Sequence, residues 1–322
     1  PSSAASDVYK RQNLMGGTIM NKKEMAYHPI SRTPYFEGWY YKITSLKMSM
    51  AIIVGVIHDQ ENSHAFIQTL DSISKQSQYI RFELTEFKFD KHHFHIALKD
   101  NHFYLDHIVL NLKDKVTMKG TIHFGLQTPM ETSLYRPTIM GPFYYLKFLE
   151  CVHSLISLHH CCYVDLKINE HPFDLKAIGY IEKDRGQSFP KQYFWLQSNH
   201  CENEYACLTL AIAKVNLKLF DFTGIVMVMM LNGQQHFYTT YLGAKVIEQS
   251  LHHIHLKQNQ EDIHLYIEHQ HPYALKGPQL GKMSKDVFEQ LNAKVRVELY
   301  HRQKIKGIYH FTMCACEVYE DK

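Results

Sequence analysis

From residue 34 onward, apolar residues recur mostly at every second position, the period of a strand with one face buried. Residues 51–57 and 64–70 are apolar runs flanking the polar loop 59–63, which predicts a hairpin. Val116, Met118, Gly120, Ile122 and Phe124 alternate with Thr117, Lys119, Thr121 and His123, and Ala293, Val295, Val297 and Leu299 alternate with Lys294, Arg296 and Glu298. Asn232-Gly233, between the runs 225–231 and 236–242, is the strongest hairpin-turn signal in the chain. Two stretches break the period. Leu146, Leu149, Val152, His153 and Ile156 recur at spacings of three and four, which predicts a helix of about three turns with Glu150 and His153 on one face. Residues 284–291 read as a short helix capped by Ser284. Many short strands, turns at intervals of about ten residues and few short helices predict an all-β fold, a sandwich or a barrel.

Length changes this picture by making room for two units. We expect a leader over 1–12, whose pattern matches nothing that follows, then domains over 13–160 and 161–322. A formal charge of +3 without a dense basic run excludes a nucleic-acid track. The longest apolar run, 225–231, is too short to span a membrane, so the expectation is no integral membrane segment, with peripheral membrane contact still allowed. Seven scattered cysteines form no disulfide framework, and no charged leader with an apolar core opens the chain; both suit the cytoplasm. Phosphate-loop, dinucleotide and serine-hydrolase motifs are absent. Histidine is abundant, with 23 residues clustering at His92, His93 and His95 and at His252, His253 and His255. Each cluster puts two rings on one strand face, as do Cys314 and Cys316, but a zinc site needs a third ligand and no motif supplies it. We therefore expect solvent-facing histidines and no metal.

Candidate chemistry concentrates in residues 179–201, where Glu182, Lys183, Asp184 and Arg185 precede a turn and the aromatic run Tyr193, Phe194, Trp195. Residues 34–42, PYFEGWYYK, repeat the theme of a carboxylate, a glycine and an aromatic cluster, and hold the other tryptophan. A pocket with an apolar body and one acidic point calls for this mixture. These two blocks, with MGPFYYLKFLECVHSLISLHH at 140–160 and, more weakly, LKGPQLGKMS at 275–284, resemble in order the signature blocks of the tocopherol cyclase-like family, and of its bacterial members. The resemblance runs over nearly the whole chain from residue 34. It implies two lipocalin-like β-barrels or half-barrels packed side by side and no cofactor. It also implies closure of a chromanol ring, the phenol oxygen of a prenylated hydroquinone adding across an alkene of its tail.

That reaction needs an acid at the alkene, aromatic faces around the cation and a base for the phenol proton. On the resemblance, Glu182 and Asp184 are the first candidates for the acid. Alternation puts both on one strand face with Tyr180, where like charges raise one pKa. Glu150 and His153 are the second acid–base candidates. Trp39, Tyr40 and Trp195 would wall the cation, Gln197 and Asn199 would hold the quinol hydroxyls, and Glu37 would orient them. Arg185 stands where bacterial members often carry an aromatic residue, and a charge there would lower the pKa of a neighbouring acid. The competing reading is a non-catalytic lipocalin-like carrier for an apolar lipid or quinone, for which acids exposed at the pocket rim would speak.

Overall fold

The computed structural model describes residues 22–28, 33–90, 92–217 and 220–320; the expected leader, 1–12, lies outside them. Among the described residues, apart from a short helix α1 (Lys22–Met25) and three 3-10 turns, the regular structure is antiparallel strand. One sheet holds β1 (Tyr35–Ser45), β2 (Met48–His58), β3 (His64–Asp71), β4 (Gln76–Phe82), β5 (Phe87–Asp90), β6 (His95–Leu98), β7 (Asn101–Tyr104), β8 (His107–Lys113), β9 (Thr117–Phe124), β10 (Cys151–Ile168) and β11 (His171–Gly186). Their order is β4-β3-β2-β1-β11-β10-β9-β8-β7-β6-β5. The two edges, β4 and β5, are consecutive in the chain and joined by the 3-10 turn Leu84–Glu86, so the sheet curls round on itself. Gln78 on β4 hydrogen-bonds both backbone groups of Val116 beside β9.

The other sheet holds β12 (Gln192–Ser198), β13 (His200–Cys201), β14 (Ala206–Leu217), β15 (Phe220–Leu231), β16 (Gln234–Thr239), β17 (Lys245–Gln249), β18 (His253–Gln258), β19 (Glu261–Glu268), β20 (Tyr273–Gln279), β21 (Lys282–His301) and β22 (Lys304–Glu320). The order is β16-β15-β14-β12-β22-β21-β19-β18-β17, with β13 on β22 and β20 on β21. Again the edges are consecutive strands joined by one 3-10 turn, Thr240–Leu242, and Gln258 bridges from β18 to Phe237 and Thr239 on β16. Each barrel encloses its own apolar core. A third cluster, including Tyr40, Leu155 and Tyr180 from one sheet and Trp195, Val228 and Leu291 from the other, packs the barrels against each other. The expected all-β architecture of two units side by side is the observed one.

The predicted hairpins at 59–63 and Asn232-Gly233 are present, the latter with both residues at positive φ. Both predicted helices are strands. Residues 146–156 run from a loop into β10, and 284–291 lie within β21. In β10, Ser154 to Leu158 are buried in succession and two register shifts follow Leu155, so bulges and two-sided burial erase the alternation. In β21 every second residue from Lys285 to Leu299 is buried, but Lys285 and Glu289 occupy two of those positions, Gln290 is buried out of phase and register shifts follow it, which disguises the period. The expected boundary at residue 160 falls inside β10, and the chain changes sheets between Gly186 and Gln192.

Candidate active site

β1 and β11 are buried on both faces because one side lines the first barrel and the other meets the second sheet. Odd-numbered residues of β1, and Ile181, Lys183 and Arg185 of β11, turn into the barrel; Phe36, Gly38 and Tyr40 with Tyr180, Glu182 and Asp184 turn outward. Strand register then sets one wall of a cavity between the barrels. Gln68, Ile53, Tyr40, Glu182 and Leu155 form one row across β3, β2, β1, β11 and β10; Phe66, Gly55, Gly38, Asp184 and His153 form the next. The second sheet supplies the facing row, Val226, Ala211, Trp195, Glu317 and Glu289 across β15, β14, β12, β22 and β21. The cavity holds about 220 Å³; its lining is mostly aromatic and aliphatic, with four acids, His153 and a few other polar side chains such as Gln68, Lys214 and Lys276.

Glu182 is 5% exposed and sits at the centre. Tyr180 Oη donates to its Oε2 at 2.6 Å, and Trp195 Nε1, from the opposite sheet, lies 3.3 Å from the same oxygen. Burial raises its pKa to about 7; His153 opposes the rise and Asp184 adds to it. His153 Nδ1 lies 2.9 Å from Asp184 Oδ1, and its Nε2 lies 3.8 Å from Glu182 Oε2. Burial works against charge on this ring, but Asp184 and Glu182 outweigh it and lift the pKa to about 9. An imidazolium is therefore held between two carboxyl groups. Ligand atoms of these three residues fall within 4.8 Å of one another, the only such group of three among the described residues.

Sequence reasoning missed two further acids. Glu289 and Glu317 face each other in register on β21 and β22. Tyr40 Oη donates to Glu289 Oε1 at 2.6 Å, and Tyr193 Oη to Glu317 Oε2 at 2.9 Å. Burial, reinforced by Glu182, raises Glu289 to about 7 against the pull of Tyr40 and Lys42. Burial and then Glu289 raise Glu317 well above the carboxylate range. Like charges directly across a ladder are destabilising, so the pair is held by keeping a proton. The available signal was strand period: Val287, Glu289 and Leu291 share a face, which puts a carboxylate among apolar residues.

Of the residues singled out from sequence, the cavity brings together Glu182, Asp184, His153, Tyr40 and Trp195, with Glu150 exposed at its rim. Tyr40 and Trp195 meet edge to face at 5.4 Å. Trp39 and Glu37 do not belong to it. Trp39 turns into the first barrel and donates to Met25 O, and Glu37 is buried there in an ion pair with Lys183. Gln197 and Asn199 are buried off the cavity lining; Asn199 Nδ2 donates to Gly179 O and the Gln197 amide finds no protein partner. Arg185 faces away from the cavity, 3.6 Å from Glu24 and over the Tyr144 ring. Of the histidine clusters, His92 and His93 are exposed, His95 pairs with His102, His253 with His264 and Glu248, and His255 with Asp262. Cys314 and Cys316 are buried in the second core.

No protein-family model matches this chain, and no curated protein matches it. Its fold is similar to those of several solved structures. A candidate AttH from Nitrosomonas europaea aligns with a TM-score of 0.54 at 9% identity, covering 96% of this chain and 99% of that one. CghA with Sch210972 aligns at 0.58 and 10%, covering 90% and 89%. Kievitone hydratase from Nectria haematococca aligns at 0.52 and 10%, covering 95% and 94%. At these identities the likeness establishes the fold.

Proposed function

We propose that the protein is a cofactor-free, acid–base isomerase that closes a ring on an apolar, prenylated hydroquinone, as its resemblance to the tocopherol cyclase-like family implies. The observation that carries this reading is Glu182, a buried carboxyl group with its pKa raised to about 7, presented to an apolar cavity and held by Trp195 and Tyr180. An acid or base works best when its pKa lies near the working pH. In the reaction a carboxyl O–H breaks as a C–H bond forms at the alkene. Positive charge develops on the tertiary carbon, beside the contacting rings of Trp195 and Tyr40 that line the cavity. The phenol oxygen bonds to that carbon, and its proton passes to a carboxylate of the same cluster. Substrate and product are isomers, and no redox step occurs. The hydratase among the structural neighbours supports the reading by its name, since adding water to an alkene and adding a phenol to one both call for proton transfer at a double bond. Burial of Glu182, rather than exposure at the rim, supports chemistry over carriage.

The test is incubation with a prenylated hydroquinone, followed by mass spectrometry and proton NMR. The expected product has unchanged mass and has lost the olefinic proton. Glu182→Gln is expected to lower turnover about 100-fold or more. Recovery of unchanged ligand, bound but unreacted, would establish the carrier instead.

A further inference from the structure

We infer that the two proton transfers are divided between the barrels, with Glu317 of the second sheet as the donor to the alkene and Glu182 of the first sheet as the acceptor of the phenol proton. The assignment rests on the proposed reaction and gives each acid of that site its role. Both carboxyl groups line the cavity, from opposite walls. Their surroundings differ in kind. Facing Glu317 are Tyr193 and Trp195 from β12, Glu289 from β21, and Glu182 and Asp184 from β11, so acids dominate the charged groups around it. Two buried lysines lie on that side: Lys42 gives its ammonium to the carbonyls of Gln197 and Met313, and Lys285, over the Tyr319 ring, donates to the carbonyls of Phe189 and Pro190. Glu317 therefore keeps its proton, and burial and Glu289 both act in that direction. Glu182 has the His153 imidazolium 3.8 Å away, which favours its ionised form. One acid held neutral and another helped to ionise, across one substrate, make a donor and an acceptor.

The step balances. The Glu317 O–H breaks and a C–H forms; the phenol O–H breaks, its proton moves to Glu182, and a C–O bond forms. One proton returned from Glu182 to Glu317 restores the site. Because the two groups stand on opposite walls, proton and oxygen add to opposite faces of the alkene.

The experiment is infrared spectroscopy of the whole protein at about pH 8, above the ordinary carboxylate range and above the pKa of about 7 reached by Glu182 and Glu289. A protonated-carboxyl band is expected in the parent and in Glu182→Gln, and is expected to be lost in Glu317→Gln. Tyr193→Phe, which removes the hydroxyl donating to Glu317, is expected to keep the band and shift its position. A parent without the band, a band that survives Glu317→Gln, or one unmoved by Tyr193→Phe overturns the assignment. This readout needs no substrate, so failure of turnover would sink the proposed reaction while the band still decides the donor. With a prenylated hydroquinone turned over in deuterated water, Glu317→Gln is expected to cost about 100-fold in rate. Deuterium is expected on the alkene face opposite the new C–O bond, and same-face addition overturns the division.

Discussion

Glu289 shows what the acid cluster does to stability. It is fully buried, its Oε1 accepts from Tyr40 and its Oε2 has no protein partner. Its pKa moves from 4.5 up to about 7, chiefly through burial. A carboxyl group whose folded pKa lies above its unfolded one favours the fold below about pH 4.5, and that contribution is lost as pH rises through about 7. Gln reproduces the shape of the neutral acid and cannot ionise. Glu289→Gln is therefore expected to be more stable than the parent by about 1–3 kcal/mol at about pH 8, and equal to it near pH 4. Urea unfolding at the two pH values measures this, and equal stability at both would mean that Glu289 ionises freely in the fold. Acids retained at such a position point to a use for them.

At the scale of the element, β1 and β11 explain both what could be read in advance and what could not. β8, β9 and β19 show one face to solvent, so their alternation is visible and their inward residues follow from it. Strands buried on both faces keep the period of two but lose the contrast that tells which face is which. Thus the pairing of Glu182 with Asp184 on one face was legible. The placement of Trp39 and Tyr40 on opposite sides of β1 was not, because either could have faced the cavity. Gln197 shares its strand face with Trp195 but lies off the cavity lining, and cavity length is set by how two sheets meet, which no local pattern encodes. Gly38 carries the same lesson. In the row with Asp184 and His153 it leaves bare floor, and a Cβ there would meet only ordinary contacts, the nearest being Val54 O at 3.7 Å. Glycine weakens a strand, so its presence at this spot suits close approach of a ligand. Gly38→Leu is expected to fold with stability within about 1 kcal/mol of the parent. Its side chain would fill part of the cavity and weaken binding of an apolar fluorescent probe by about tenfold or more, about 1.4 kcal/mol. Unchanged probe affinity would place the ligand elsewhere.

Across the whole molecule, the two faces of β1 and β11 carry two separate buried charge networks. On the cavity side are the acids with His153. Inside the first barrel, Lys183 pairs with Glu37 and donates to the carbonyls of Glu24 and Ala26, while Arg185 lies beside Glu24. Trp39 Nε1 donates to Met25 O, and Tyr144 and Ser154 donate to the Glu24 carboxylate. Burial raises the pKa of Glu24, but hydrogen bonds from His28 and Tyr144 and the charge of Arg185 override it and bring the group down to about 2. This network pins the segment from Lys22 to His28 against the barrel wall. If the two networks are independent, damage to one should cost stability without touching ligand affinity. Lys183→Met leaves Glu37 buried with, among the described residues, only His28 and Tyr35 as hydrogen-bond partners, and is expected to destabilise by about 3–5 kcal/mol. Adding Glu37→Gln removes the stranded charge while keeping an acceptor for Tyr35 Oη, and should recover most of that loss. Among protein that remains folded, both variants should bind the apolar probe as the parent does, because Lys183 and Glu37 face away from the cavity. A probe affinity that falls in step with stability would show instead that the two faces of β11 move as one, and that the barrel network positions the acids on its other side.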